Sequence, residues 1–361
     1  MAAMRAARLA LASACLLAAG ALLAGCGGGD DSGSSTAATK PAPSRPAPAK
    51  DQFPKPFGRT LEELVKMADA HSELVVTPAA QVFYPGENRY PFGIAERKGG
   101  PISDAEVALY YARVPAPEPG AKSKPGNKGL VGQAQSQALE QPAVGPFPAK
   151  IESLATKPAF RAKTTVDDPD VARVVYSAQV PFPEDGEWRM AALIREGDEL
   201  TASLLSSVEV GEFSSIPRPG EAPPVIHTPT AEEVGGDLSK ITTRIPPDTL
   251  NKVDYAEALG KEPILLLFAT PQFCQSRVCG PVVDVAEQAQ QEHGNEAAFI
   301  HMEIYNDNDP GKGVRPQVRR FHLPSEPWLF AINRKGVVSS AIEGAFGLEL
   351  MDEVAEKVIA E

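Results

Sequence analysis

Two thiols in the C-terminal third of the chain are the residues best equipped for chemistry. Cys274 and Cys279 lie five positions apart in a sequence of 361 residues with four cysteines, the others being Cys15 and Cys26. The thiolate is the reactive form of cysteine, and it is stabilised where the N–H groups and dipole of a helix N-terminus converge. The surrounding run, Thr270-Pro271-Gln272-Phe273-Cys274-Gln275-Ser276-Arg277-Val278-Cys279-Gly280-Pro281, places the pair at such a junction. Pro281 suits the start of a helix that continues through Val282, Val285, Ala286 and Ala289, and Arg277 adds a positive charge. Inside a continuous helix, residues five apart lie about 7.5 Å apart along the axis, too far to bond. Gly280-Pro281 argues that the helix begins after Cys279, which leaves 274–279 as a loop able to close. The two cysteines pair with each other, stay as thiols, or react with something outside the chain.

The elements that must position them can be read from apolar patterning. A short helix near Tyr255–Leu259 precedes Pro263-Ile264-Leu265-Leu266-Leu267-Phe268-Ala269, an apolar run that suits a strand buried on both faces. After the helix from Pro281 to Gln291 come a strand at Ala298–Ile304 and a short helical piece at Val318–His322. A hairpin follows, Trp328–Asn333 and Gly336–Glu343 around Arg334-Lys335-Gly336, and an amphipathic helix at Leu348–Ala360 closes the chain. This order, with the cysteines after the buried strand and Pro327 just before the strand Trp328-Leu329-Phe330-Ala331-Ile332, resembles the thioredoxin fold over roughly the last hundred residues. The resemblance implies an α/β thioredoxin-like domain at 251–361 with a Cys274–Cys279 disulfide as its redox-active centre. It puts Cys274 in the place of the nucleophile and Cys279 in that of the resolving thiol. Pro327 takes the place of the family's cis-proline facing the cysteines, with Glu326 beside it on the substrate side. It implies no cofactor and no metal, only a redox partner that recycles the pair.

The sequence departs from that family at several points. Four residues separate the cysteines, where thioredoxin-type sites have two. If the helix starts after Cys279, that thiol is nearer its N-terminus and the nucleophile assignment reverses. The acid that thioredoxins bury below the site aligns near Leu266 or Leu267, and Glu326 places a negative charge where it raises a thiol pKa. Four intervening residues also occur in some peroxiredoxins, but Thr270 and Pro271 do not stand at the spacing those peroxidases need. His293, His301 and His322 offer imidazoles to a metal without forming a recognisable copper-delivery motif. The rival reading is a non-enzymatic binding lipoprotein whose disulfide is structural.

Ahead of this region, residues 61–212 read as β-rich. A helical start, Leu61 to Ala68, gives way to strand patterns near Glu73–Thr77, Arg89–Glu96, Glu106–Val114, Val171–Val180, Trp188–Ile194 and Leu200–Val210, with a turn at Pro183-Glu184-Asp185-Gly186. Short strands with Trp188 between the last two suggest an immunoglobulin-like β-sandwich. Pro115 to Pro148 reads as a long loop. His71, Met67 and Met190 are too scattered for a copper site, so this part reads as a spacer or partner-binding module. Residues 213–250 are Pro-rich and read as a linker, with His227 solvated.

The N-terminus supplies the address. Arg5 and Arg8 precede an apolar run, Leu9 to Leu23, of signal-peptide length and too short for a comfortable membrane span. It ends Leu23-Ala24-Gly25-Cys26, which resembles the lipobox of bacterial lipoproteins. The resemblance implies a signal peptide at 1–25, lipid on Cys26, and attachment to the extracytoplasmic side of the cell membrane. Residues 26–56, rich in Gly, Ser and then Pro, read as a flexible tether. With Cys15 removed and Cys26 lipidated, Cys274 and Cys279 are the only pair left in an oxidising compartment. A net charge of −12 without a basic patch excludes nucleic acid as a partner. The expected protein is thus a membrane-anchored thiol–disulfide oxidoreductase acting on protein thiols or disulfides.

Overall fold

The structure, a computed structural model, describes residues 42–68, 73–116, 128–168, 170–211, 213 and 215–361. The expected signal peptide with Cys15, the expected lipidation site Cys26, the start of the expected tether and His71 lie outside the described residues. Pro41–Glu361 form one compact unit.

Its first half contains α1 (Leu61–Val65), β1 (Leu74–Pro78), β2 (Gly86–Glu96), β3 (Glu106–Arg113), α2 (Lys128–Leu139) and β4 (Val144–Ser153). There follow α3 (Lys163–Val166), β5 (Val174–Phe182), β6 (Gly186–Glu196), β7 (Glu199–Leu204) and β8 (Val208–Val210). Thr60 caps α1: its hydroxyl accepts the Glu63 N–H at 3.2 Å and the Glu63 carboxylate accepts the Thr60 N–H at 2.8 Å. Period-two alternation then divides each strand. Val107, Leu109 and Tyr111 of β3 enter an interior shared with Tyr90, Phe92, Tyr176, Phe182, Trp188 and Met190. Ala108, Tyr110 and Ala112 point the other way, against Phe53, Leu61 and Leu64. Aromatic rings bridge neighbouring strands inside, as in Phe92–Tyr176 at 5.4 Å and Tyr111–Trp188 at 5.1 Å.

These strands do not make the expected immunoglobulin-like sandwich. They form one antiparallel sheet in the order β1-β2-β5-β4-β3-β6-β7, with β8 pairing β6. The sheet curls until β1 meets β7, so it nearly closes into a barrel around one interior. The physical reason is β4. Gly145, Pro146 and Pro148 make it read as loop, yet it pairs β5 on one side and β3 on the other. Without it the strands fall into two groups that suggest two facing sheets; with it they are continuous. Proline is tolerated here because the register shifts between Leu109 and Tyr111 of the β3 partner. The stretch expected as a loop also contains α2.

The described end of the expected tether lies against this sheet. Arg45 pairs with Ile151, the Ser153 N–H donates to Ser44 Oγ at 3.0 Å, and Phe53 is buried under the guanidinium of Arg195.

The second half contains α4 (Tyr255–Ala258), β9 (Ile264–Ala269), α5 (Cys279–His293), β10 (Ala298–Glu303), α6 (Pro316–Arg320), β11 (Trp328–Ile332), β12 (Val338–Glu343) and α7 (Leu348–Ala360). Its sheet is mixed, β10-β9-β11-β12, with β9 parallel to β10 and antiparallel to β11. Leu265, Leu267, Leu329 and Ala331 face α5 and α7. On the other face Leu266, Phe268, Met302 and Phe330 pack with Tyr255, Phe321, Ile216, Ile226 and Val82. The α/β thioredoxin-like domain expected here is likewise corrected. The molecule is mostly β with few helices, and irregular Pro-rich chain and two one-turn helices cover the sheet face turned away from α5 and α7.

Residues 216–250 contribute to both faces of this sheet, Ile216 and Ile226 on the side of Phe268 and Leu250 on the side of Leu265. A carboxylate joins the two sheets. Glu343, at the end of β12, accepts the N–H groups of Gln81 at 3.0 Å and Val82 at 2.9 Å, and the Ser325 hydroxyl. Burial pushes its pKa up to about 7, against those three donors. Arg89 completes the joint, donating to the Ala345 carbonyl at 2.6 Å while pairing with buried Glu152 at 3.1 Å.

Candidate functional site

The cysteine loop starts where β9 ends. After Ala269 the chain leaves the sheet through Thr270-Pro271, and α5 begins at Cys279 itself. The helix N-cap, Val278, has no side chain to accept the first N–H groups, so the orphan donors of the first turn lie next to the Cys279 sulfur. Between the cysteines the Arg277 N–H bonds back to the Cys274 carbonyl at 3.3 Å, and Arg277 takes the left-handed conformation with φ 58°. This tight turn brings the two Cα atoms to 5.9 Å, within disulfide range, and the sulfurs are bonded. Cys274 Sγ also lies 3.2 Å from Ser276 Oγ.

Access differs between the two. Cys279 is 0% exposed and Cys274 5%. Cys274 contributes to the wall of a depression of about 450 Å³ with Thr164, Thr165, Asp168, Pro271 and Arg277. Arg277 is therefore not a free charge beside the sulfurs: its guanidinium pairs with Asp168 at 3.1 Å.

A second depression, about 660 Å³, opens on the other side of the loop, where Gln275 and Ser276 meet Tyr305, Ser325, Glu326 and Glu343. Glu326 thus shares a depression with the cysteine loop. Burial raises its pKa, and the nearby Glu303 carboxylate raises it further. The Glu326–Pro327 peptide is cis, and the Pro327 carbonyl accepts the Gly344 N–H at 2.9 Å.

Below the loop lies a set of buried charges that sequence reasoning missed. The Gln272 N–H donates to Thr243 Oγ1 at 3.2 Å, and the Thr243 hydroxyl and N–H donate to the Glu303 carboxylate at 3.0 and 2.9 Å. His301, fully buried, lies between the Asp248 carboxylate at 2.8 Å and the Ala269 carbonyl at 3.1 Å. With an acceptor on each side, both ring nitrogens must donate, so the ring is an imidazolium. Burial opposes that charge, but Asp248 and then Glu303 outweigh it and hold the pKa at about 9. On α5, Arg244 Nε donates to Asp284 at 2.9 Å, both side chains being buried. Burial still holds the Asp284 carboxyl above its ordinary range. The signal was available: His301 and Glu303 interrupt a strand otherwise apolar on both faces, and Asp284 interrupts the apolar start of α5.

The other histidines do not converge on the cysteines. His301 has no lone pair left for a metal. His293 pairs with Asp352 at 3.2 Å and, with Glu292, makes the one three-residue metal-capable group among the described residues. It lies at the far end of α5, about 21 Å from Cys279 at 1.5 Å per residue. His227 pairs with Asp254 at 2.6 Å, and His322 is exposed.

No protein-family model matches this chain, and no curated protein matches it. Among solved structures, a DUF4784 family protein from Bacteroides caccae aligns over 38% of this chain and 23% of its own, at 15% identity and a TM-score of 0.18. The chain therefore spans less than a quarter of that protein, and so slight a likeness transfers neither fold nor activity.

Proposed function

We propose that this protein is a lipid-anchored, extracytoplasmic thiol–disulfide oxidoreductase acting through Cys274 and Cys279. The observation that carries the reading is the bonded pair itself, with Cys274 at the edge of a depression and Cys279 in the first turn of α5. In that arrangement a substrate thiolate attacks Cys274 Sγ. A mixed disulfide forms, the Cys274–Cys279 bond breaks, and the electron pair leaves on Cys279 Sγ. The helix N-terminus stabilises this thiolate, which makes Cys279 a good leaving group. A second substrate thiolate then attacks the substrate sulfur of the mixed disulfide and releases Cys274. Substrate dithiol becomes disulfide, the protein pair becomes dithiol, and the two protons lost by the substrate are taken up by Cys274 and Cys279. A membrane redox partner removes the two electrons; run backwards, the same steps reduce a substrate disulfide.

The anchor reading rests on the Leu23-Ala24-Gly25-Cys26 motif. Among the described residues no helix is long and apolar enough to cross a membrane. Incorporation of a labelled fatty acid is expected to vanish in Cys26→Ala, and label that persists there rejects the anchor.

One observation favours the rival, a binding lipoprotein with a structural disulfide: both sulfurs are almost wholly buried. Trapping separates the two. In Cys279→Ser, Cys274 has no resolving thiol, so mixed disulfides should accumulate on it and run as heavier species on non-reducing gels. Cys274→Ser should trap far fewer. If neither variant traps a partner, and the purified protein exchanges with no reduced or oxidised test protein, the structural reading stands.

A further inference from the structure

We infer that the turn Lys163–Asp168, in the connection between β4 and β5, is a cover on the disulfide that controls which thiols reach it. The inference rests on the redox reading above and specifies the regulation of that site. The turn comes from the curled sheet yet sits on the first turn of α5. Gly280, directly after Cys279, lies so close beneath it that a Cβ there would meet Thr165 Oγ1 at 3.0 Å. Thr164, Thr165 and Asp168 form one wall of the depression whose other wall holds Cys274, Pro271 and Arg277.

The two ends of this segment are held very differently. At its base the Lys157 N–H donates to Gln288 at 2.8 Å, the Ala162 N–H to buried Asp284 at 3.1 Å, and the Lys163 N–H to the Ile245 carbonyl at 2.6 Å. Arg244, itself buried, donates to the Phe160 carbonyl at 2.6 Å. Such bonds are costly to break because the groups left behind are out of water. At the outer end the hold is the Asp168–Arg277 ion pair, whose arginine is half exposed, and a long 3.3 Å bond from the Ala172 N–H to the Arg277 carbonyl. Exposed pairs contribute little and are screened by salt. The outer end is therefore the part that lifts, about an anchored base. Arg277 is also a residue of the cysteine loop, so the latch closes directly on the segment that carries the sulfurs. Any external thiol needs the outer end to lift before it reaches Cys274, dithiothreitol by a small displacement and a protein thiol by a wide swing.

The test uses the full mature chain and measures how fast dithiothreitol reduces the Cys274–Cys279 bond, by alkylation of the released thiols. Asp168→Asn should speed reduction about threefold to fivefold, the range expected for an exposed ion pair. High salt should speed the parent protein by a similar factor and leave Asp168→Asn unchanged. Lys157→Ala, which removes an exposed pair with Glu292 at the anchored end, should leave the rate as it was. The cover is rejected if Asp168→Asn reduces at the parent rate. It is equally rejected if reduction keeps pace with global unfolding, followed by hydrogen exchange of the β9 amides. These readouts do not depend on trapping a substrate. A faster Asp168→Asn with no mixed disulfides would keep the cover and sink the oxidoreductase, and the converse result would do the reverse.

Discussion

His301→Leu is expected to destabilise the protein by about 3–5 kcal/mol, the usual consequence of removing one member of a buried charge pair. Asp248 would remain at 0% exposure, holding the Thr242 hydroxyl, the Asn251 amide and the Leu250 N–H but no cation. Replacing both partners should cost less than replacing the histidine alone, because Asp248→Leu removes the stranded charge; urea melts of the single and double variants test this. The pH dependence has a definite sign. The ring's folded-state pKa lies above the unfolded value of 6.5, at about 9, so the folded protein binds the extra proton. Its contribution is complete below about pH 6.5 and is lost as pH rises through 9. The gap between parent and His301→Leu should therefore narrow towards pH 10. A gap that stays constant from pH 6 to 10 would show that the ring is neutral.

Arg244→Met should produce a loss of similar size, about 3–5 kcal/mol, by a mechanism that reaches the cysteine site. The guanidinium pairs with Asp284, which is 1% exposed, and donates to the carbonyls of Phe160 and Pro246. Removing it leaves two acceptors without their donor and a carboxylate with the Ala162 N–H but no cation. The carboxyl, already raised by burial, would go higher still, because Arg244 is the neighbouring charge that lowers it. Asp284→Asn in the same chain should recover part of the loss, since the amide oxygen still accepts the Ala162 N–H without a charge. Hydrogen exchange at the Ala162 amide should quicken in Arg244→Met while exchange in β3 stays close to the parent. An unchanged Ala162 amide would mean that the pair does not anchor the base of the segment over the disulfide.

These buried pairs explain where reading the sequence succeeded and where it did not. Helices and strands with strong periodicity were legible to within a residue or two: Ile264–Ala269 as a doubly buried strand, Leu348–Ala360 as an amphipathic helix, Glu106–Arg113 as an alternating one. The cysteine pair was legible as a closing loop because Gly280-Pro281 signals a helix start. The structure begins α5 two residues before Pro281, at Cys279, which puts this sulfur in the first helical turn. Non-local decisions were not legible. β4 carries two prolines and a glycine, and only its partners on both sides make it a strand. Residues 216–250 look like linker by composition, yet isolated apolar side chains such as Ile216 and Ile226 suffice to cover a sheet face.

The sequence by itself determined the local chemistry: two thiols five residues apart beside a helix start, with a single buried strand leading into them. It also determined the leader pattern ending at Cys26, since both depend on neighbours along the chain. The tertiary structure alone decided that the strands join into one curled sheet and that a second mixed sheet carries the cysteines. It alone paired Arg277 with Asp168, from a segment 109 positions away, and so put a cover on the sulfurs. Spacing and periodicity report interactions within a few residues. Which distant surface reaches a site depends on how two sheets bury their remaining apolar faces, and that is settled only when the whole chain has packed.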